Sequence, residues 1–372
     1  MHLERENTSI MKKNLLLAAL TMCCLLTLGL AACAGEPSTS STTTPQSPST
    51  TAGQTGSTPA ADSPWTQLEP QGDKPAARAG QCMVYDSKND AVILFGGTDS
   101  LTFFSDTWKY SPPDNTWTNQ KPAGDVPEGR VASSMVYDPV SGKVILFGGV
   151  SKTESLGDTW AYDLATNTWT ELQISGTAPS ARGGHAMVYS AALGKVLLYG
   201  GKDAKSVLND TWTFDFAATA WAQLQPATEP PIARYGHAMA VDEATGKIVV
   251  FAGWDTDKYF TSTWTFDPAA NTWASLDTTG GPPPARAGHC LTYDPATGKM
   301  VLFGGTTGKS FLRDVIYFNV ATSTWELSKT GSPWPEARNG HSMVHDAAAK
   351  ATLLFGGWNG KTYYSDMWSL AD

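Results

Sequence analysis

Three features of the 372-residue chain predict an all-β fold, a six-bladed β-propeller in which four-stranded antiparallel sheets stand around an axis. Tryptophan recurs at residues 65, 117, 169, 221, 273 and 325, each 52 positions after the last. The stretch GKVILFGGV at 142–150 returns as GKVLLYGGK, GKIVVFAGW and GKMVLFGGT, a buried strand stopped by paired glycines. The two ends of the folded part also complement each other. The sixth repeat stops after its third strand, DMWSLAD, while the first begins with a lone WTQL at Trp65–Leu68.

Before the first tryptophan the chain has a different character. Lys12 and Lys13 precede a mostly apolar run, Leu15–Ala32, long enough to read as a membrane helix. The run ends in LAAC, Leu30–Cys33, which resembles the lipobox of bacterial lipoprotein signal peptides, where small residues admit the peptidase and the cysteine thiol is acylated. Residues 1–33 are therefore expected to be a lipoprotein signal peptide ending at a lipidated Cys33, with translation starting at Met11; an uncleaved anchor is the alternative. Residues 34–64 are almost entirely Ser, Thr, Pro, Gly, Ala and Gln, with nothing to bury, and are expected to form a disordered stalk. On this reading residues 65–372 are a propeller held by lipid in the bacterial cell envelope, outside the cytoplasm. The net charge of -9 and the scattered lysines and arginines exclude a general nucleic-acid binder.

Within one repeat, GGHAMVYS alternates small and large residues, KVLLYGG is a buried strand, and DTWTFD and WTEL alternate again. Four short strands make one sheet with two faces to cover, and stacking six around an axis covers each face with a neighbour. The glycine pairs turn the chain where a side chain would crowd the backbone or φ is positive. The lone Trp65–Leu68 strand is expected to serve as the outer strand of blade six, closing the ring and removing an open edge. Cys82 and Cys290 share a repeat position with Ser134, Ala186, Ala238 and Ser342, as small core thiols would.

A period near 50 with a double glycine resembles the kelch repeat, and the resemblance covers Trp65 to Asp372. It is the fold of the galactose oxidase central domain. That enzyme's copper site needs a tyrosine crosslinked to a cysteine, and both cysteines here sit at repeat core positions, so the likeness stops at the fold. Sialate mutarotases are exported six-bladed kelch proteins and match the compartment. Their general base has no distinct counterpart: Glu336 lies two positions before Arg338, but Glu128 has the same offset from Arg130.

In an up-and-down blade, the loops from strand two to strand three share a face with the connections between blades. Those are the long segments here, including TDSLTFFS, WDTDKYFTS and WNGKTYYS, whereas the other face has turns such as DPATGK and DPAANT. Arg78, Arg130, Arg182, Arg234, Arg286 and Arg338 start the first strands on the elaborated face. Asp106, Asp158, Asp210, Asp314 and Asp366 start the third strands there, but blade four has Ser262. One reading is a repeated Arg–Asp or Arg–carbonyl brace. The other is an anion-accepting mouth in which Arg234 or Arg286 is available, unless Asp255 or Asp257 fills the gap.

Aromatic residues that break the repeat complete the candidate ligand-binding set. Trp254 and Trp358 share a position held elsewhere by Thr98, Val150, Lys202 and Thr306, and Tyr235, Tyr259, Trp334 and Tyr363 are expected on the same face. Such a surface suits a sugar ring or an extended peptide, with loop packing as the alternative. His185, His237, His289 and His341 recur, but their parity puts them on a packed sheet face as satisfied core residues rather than metal ligands. No cofactor, metal or catalytic constellation is expected. The anticipated function is a tethered, monomeric propeller that binds an extracellular or periplasmic protein or glycan, with a sugar enzyme of the mutarotase type as the alternative.

Overall fold

The computed structural model describes residues 64–328 and 331–371. The signal peptide, Cys33 and residues 34–63 of the expected stalk lie outside the described residues. Twenty-four strands form six antiparallel four-stranded sheets. Blade one is β2 (Ala79–Asp86), β3 (Ala91–Thr98), β4 (Thr107–Ser111) and β5 (Thr116–Asn119), and the next four blades repeat that order. Blade six combines β22 (Ser342–Asp346), β23 (Ala351–Phe355) and β24 (Met367–Ala371) with β1 (Trp65–Leu68), and Trp65 pairs with Leu370. The six-bladed ring closed by the N-terminal strand is therefore the observed fold.

Apolar residues of adjoining sheets form six core clusters, one per blade interface. Cys82, Ile93 and Phe95 of blade one pack with Met135, Leu146 and Trp169 of blade two, while Val344, Phe355 and Met367 of blade six pack with Met83, Leu94 and Trp117 of blade one. The 52-residue tryptophan sits at each interface. Trp169 tilts against Tyr162 of its own blade at 5.0 Å and against Phe95 of the preceding blade at 5.2 Å. Its Nε1 donates to Thr107 Oγ1 at 2.9 Å, a bond that Trp221, Trp273 and Trp325 repeat with Thr159, Thr211 and Thr263. Each of these four indoles thus combines a large buried area with a polar tie across the seam.

Two sets of backbone bonds join the blades near the axis. The amides of Gly80, Ala132, Gly184, Gly236, Gly288 and Gly340 each donate to the carbonyl of the same position one blade back, at 2.7 to 3.0 Å, so the six bonds form a closed girdle. All six residues have positive φ, Ala132 included. The second glycine of each pair supplies the other set: Gly97 N–H donates to Arg130 O at 2.8 Å, and the pattern repeats at every seam. A Cβ on Gly96 would meet Arg130 O at 2.7 Å, which is why the pair is glycine where the blades approach most closely. Ala252, the exception in blade four, still has a φ of 57°.

Replacing Trp65 by alanine is expected to remove the core of the seam between blades five and six, where Trp65 stands edge-on to Phe303 at 5.4 Å. A loss of about 3–5 kcal/mol in denaturant unfolding is the expected outcome. A loss below about 1 kcal/mol would mean that the N-terminal strand does not complete the ring.

Candidate functional site

The six arginines begin the innermost strands and are all buried, with 0–1% of each exposed. Five are held in one way. Arg78 donates from Nε to Ala76 O at 2.9 Å, from Nη1 to Gly96 O at 2.9 Å and Asp106 Oδ1 at 2.6 Å, and from Nη2 to Asp106 Oδ2 at 2.8 Å. Arg130, Arg182, Arg286 and Arg338 make the same fork with Asp158, Asp210, Asp314 and Asp366. In four of these blades a tryptophan two residues on, Trp108, Trp160, Trp212 or Trp368, donates its Nε1 to the same carboxylate. Burial by itself would raise the Asp158 and Asp366 carboxyls, but the facing guanidinium outweighs it and holds both below the ordinary range. These five arginines are braces between the first, second and third strands.

Blade four lacks the carboxylate. Arg234 keeps the bonds to Ile232 O at 3.0 Å and Ala252 O at 2.9 Å, and Nη1 reaches Ser262 Oγ at 3.2 Å. Among the described residues no ion pair holds Arg234, whereas Arg286 is paired with Asp314 at 2.6 Å, so of these two the gap belongs to Arg234. Asp255 offsets the charge only from a distance: its carboxylate is felt at Arg234 without forming an ion pair, and its Oδ1 accepts the backbone N–H groups of Asp257 and Lys258 in a turn. Trp264 Nε1, which would donate to the missing carboxylate, is buried with no acceptor. The neighbouring blade offers partial relief: Tyr199, where other blades have Phe95, Phe147, Phe251, Phe303 and Phe355, places its hydroxyl beside the guanidinium and donates to Pro231 O at 2.8 Å. A neutral oxygen does not balance a buried charge. Desolvation accordingly lowers the pKa of Arg234.

Phe260 lies over the Arg234 guanidinium at 4.6 Å, and the non-repeating aromatics run from blade four through blades five and six. Trp254 bridges Tyr235 on one side and Tyr259 on the other, with Tyr259 stacked at 5.3 Å and 3°. Tyr259 lies over Gly308 of blade five, and Phe311 of blade five stands edge-on to Trp358 of blade six at 5.2 Å. Tyr363 tilts against Trp358 at 6.0 Å. Trp334 is set apart, packing on the seam between blades five and six and donating Nε1 to Arg313 O at 2.6 Å. Sequence reasoning named all of these but missed Phe311 and the exposed Arg313. Arg313 stands where the other blades have Ser105, Gly157, Asn209, Thr261 and Ser365, so repeat alignment carried the signal.

The histidines are core residues, each within reach of the backbone carbonyl of Phe147, Tyr199, Phe251 or Phe303 in the preceding blade. His185, His237, His289 and His341 stand edge-on to Phe147, Tyr199, Phe251 and Phe303 of the preceding blade, at 5.3 to 5.5 Å. Neither ring nitrogen of any of the four has a well-formed partner. In blade one Gln81 reaches the equivalent carbonyl, Phe355 O, at 2.9 Å. Among the described residues no group of three His, Cys, Asp or Glu is placed to hold a metal. Burial pushes the Cys82 and Cys290 thiols up to about 11 and about 12, far from a reactive thiolate.

A six-bladed ring, a 52-residue period and a glycine pair at each seam define one kind of repeat. The description KLHDC2/KLHL20/DRC7 Kelch-repeats domain matches residues 58–243 and again 191–371. The chain belongs to the kelch-repeat family. Among kelch relatives, it is 28% identical over 281 residues to human leucine-zipper-like transcriptional regulator 1, covering 72% of this chain and 33% of that protein. It is 31% identical over 214 residues to the Rab9 effector protein with kelch motifs of Xenopus laevis, covering 55% of this chain and 57% of that one. Acyl-CoA-binding domain-containing protein 4 of Arabidopsis thaliana is 26% identical over 315 residues, covering 80% of this chain and 45% of the relative. The chain thus spans between a third and just over half the length of these relatives.

The histidines make this kelch propeller acid-sensitive. Burial, the largest cause, together with the adjacent arginine lowers His185, His237 and His341 to about 3, and shifts His289 well below its usual value too. Their folded pKa lies below the unfolded one, so the unfolded chain binds more protons as pH falls. Stability is then complete above about pH 6.5 and declines below it, by up to about 1.4 kcal/mol per pH unit for each histidine. Denaturant midpoints measured from pH 7 to 4.5 are expected to fall less steeply in His237→Gln than in the wild type. Equal slopes would show that these imidazoles are protonated in the folded state.

Proposed function

We propose that this kelch propeller is a protein-binding module whose loop-bearing face takes a carboxylate from its partner at blade four. One observation carries the reading: Arg234 and Trp264 present donors where other blades place an aspartate, and Ser262 leaves the carboxylate position to be filled. The corresponding aspartates are 20–26% exposed at their side chains, so the position borders solvent and is accessible to an incoming group. A guanidinium already oriented by two carbonyls binds a carboxylate at little cost in side-chain entropy. The part-exposed rings of Tyr259, Phe311 and Tyr363, backed by the buried Trp358, supply apolar contact for residues beside the carboxylate. The likeness to a protein named as a Rab9 effector supports a protein ligand. Trp254 standing between two tyrosines favours the same ligand over a glycan, because a sugar stacks on an open ring face.

The reading keeps the propeller outside the cytoplasm of a bacterium, anchored through Cys33, on the support of the basic pair, the apolar run and the LAAC sequence. Full-length chain produced in a bacterium is expected to fractionate with membranes and to incorporate labelled palmitate, and Cys33→Ala is expected to abolish the label. Unchanged labelling in the variant would overturn the anchor.

Ser262→Asp tests the binding site. Supplying the missing carboxylate from within is expected to raise stability by about 1.5–3 kcal/mol, the range for a hydrogen bond to a charged group. On arrays of peptides with acidic side chains and free C-termini, the wild type is expected to retain carboxylate-bearing sequences that the variant binds at least about ten-fold more weakly. A variant that is stabilised and yet binds the same peptides equally well would place the ligand elsewhere.

A further inference from the structure

The cavity on the axis has no part in that reading. It is a channel of about 650 Å³ enclosed by the innermost strands of all six blades, within the size range of small-molecule sites. Its inner end is ringed by Met83, Met135, Met187, Met239, Leu291 and Met343, which follow the girdle residues by three positions in each blade. The cavity therefore stops short of the arginine face and opens on the short-turn face. Methionine thioethers adapt to irregular apolar ligands, and the strands that carry them are fixed by the blades behind.

The mouth has a different chemistry. Tyr85, Tyr137, Tyr189 and Tyr293 stand there, one turn of the repeat apart except where blades four and six have Val241 and His345. The phenols are locked in place: Tyr85 donates to Asp90 Oδ1 at 2.8 Å, and Tyr137 bonds to Asp86 of the preceding blade. Beside them Asp86, Asp138, Asp242, Asp294 and Asp346 are buried, each with Oδ1 capping a short turn. None of the five forms an ion pair among the described residues. These aspartates stand behind the lining; Glu243, exposed at the rim, is the carboxylate that lines the channel itself, and no lysine or arginine lines it. On two of these turns the following lysines, Lys143 and Lys299, are drawn to Asp163 and Glu326 on the outer strands, as Lys195 of blade three is to Asp215; Lys88, Lys247 and Lys350 follow the other three aspartates without lining the channel.

A concavity with apolar walls and charge of one sign concentrates its field, and tyrosine faces attract cations. We propose that the channel is a second binding site, separate from blade four, for an elongated apolar molecule with a cationic head. The body lies among the methionines, and the head sits at the tyrosine rim beside Glu243. Burial pushes the Tyr137 hydroxyl up to about 12, in keeping with a rim that stays neutral and donates no negative charge of its own.

Decyltrimethylammonium, held below its micelle concentration, is the probe, with decanol and decyl sulfate as its neutral and anionic counterparts. In spectra of the protein labelled at methionine methyl carbons, the probe is expected to shift Met83, Met135, Met187, Met239 and Met343 saturably and to leave the core residues Met300 and Met367 unmoved. Decanol is expected to bind at least about five-fold more weakly and decyl sulfate more weakly still. Glu243→Lys, at an exposed turn position that leaves the core intact, is expected to weaken the ammonium probe about three- to ten-fold. Ser262→Asp is expected to change nothing here, which separates this site from the one in blade four. Channel methyls that do not move, or an equal response to the sulfate, would overturn the proposal.

Discussion

Each blade buries its two faces only if the last blade meets the first, and the girdle of six backbone hydrogen bonds is where that closure is most exacting. A bond from each amide to the carbonyl one blade back leaves no free group at either end, because there is no end. Linear stacks lose stability at their terminal units, which have only one neighbour. In this ring every unit has two. The requirement reaches outward through the glycine pairs to the tryptophan seams, since the blades must come close at the axis and fan apart toward the rim.

The arginines belong to the same closure. Each carbonyl accepts from the glycine pair of the preceding blade, while its side chain ties the first strand of its own blade to the second and third. The brace is buried at the guanidinium and partly wet at the carboxylate, so the aspartate is the one component that a ligand could replace without opening the core. Blade four has made that replacement possible, and the changes around it are concerted. Serine replaces aspartate, alanine replaces the first glycine and tyrosine replaces phenylalanine in the neighbouring blade, yet Arg234 remains buried. On the proposed reading, a repeat that keeps its cation and gives up its anion has moved from structure toward recognition.

Much of this was legible in the sequence. A strict 52-residue interval permits only equal units, and the orphan WTQL strand matched the missing fourth strand, so blade number and closure followed from counting. The arginine–aspartate pairing was legible because both residues recur and both start strands on one face. Choosing between Arg234 and Arg286 was not, since it depends on the guanidinium reaching the third strand of its own blade rather than a neighbour's. The partners of the histidines were equally hidden: parity identifies a buried face but not which carbonyl on it lies within reach. The axial channel went unread because its wall is made of strand edges. Alternation sorts side chains between the two faces of a sheet, and Met83 and Val84, on opposite faces of one strand, both border the cavity.

Amide hydrogen exchange tests closure most directly. The six girdle amides, from Gly80 to Gly340, together with those amides of Trp65–Leu68 that donate to β24, should exchange only when the whole ring opens, and so share one protection free energy close to that of global unfolding. Girdle amides at a single seam that exchange orders of magnitude faster than the rest, or a Trp65–Leu68 strand without protection, would contradict a closed ring.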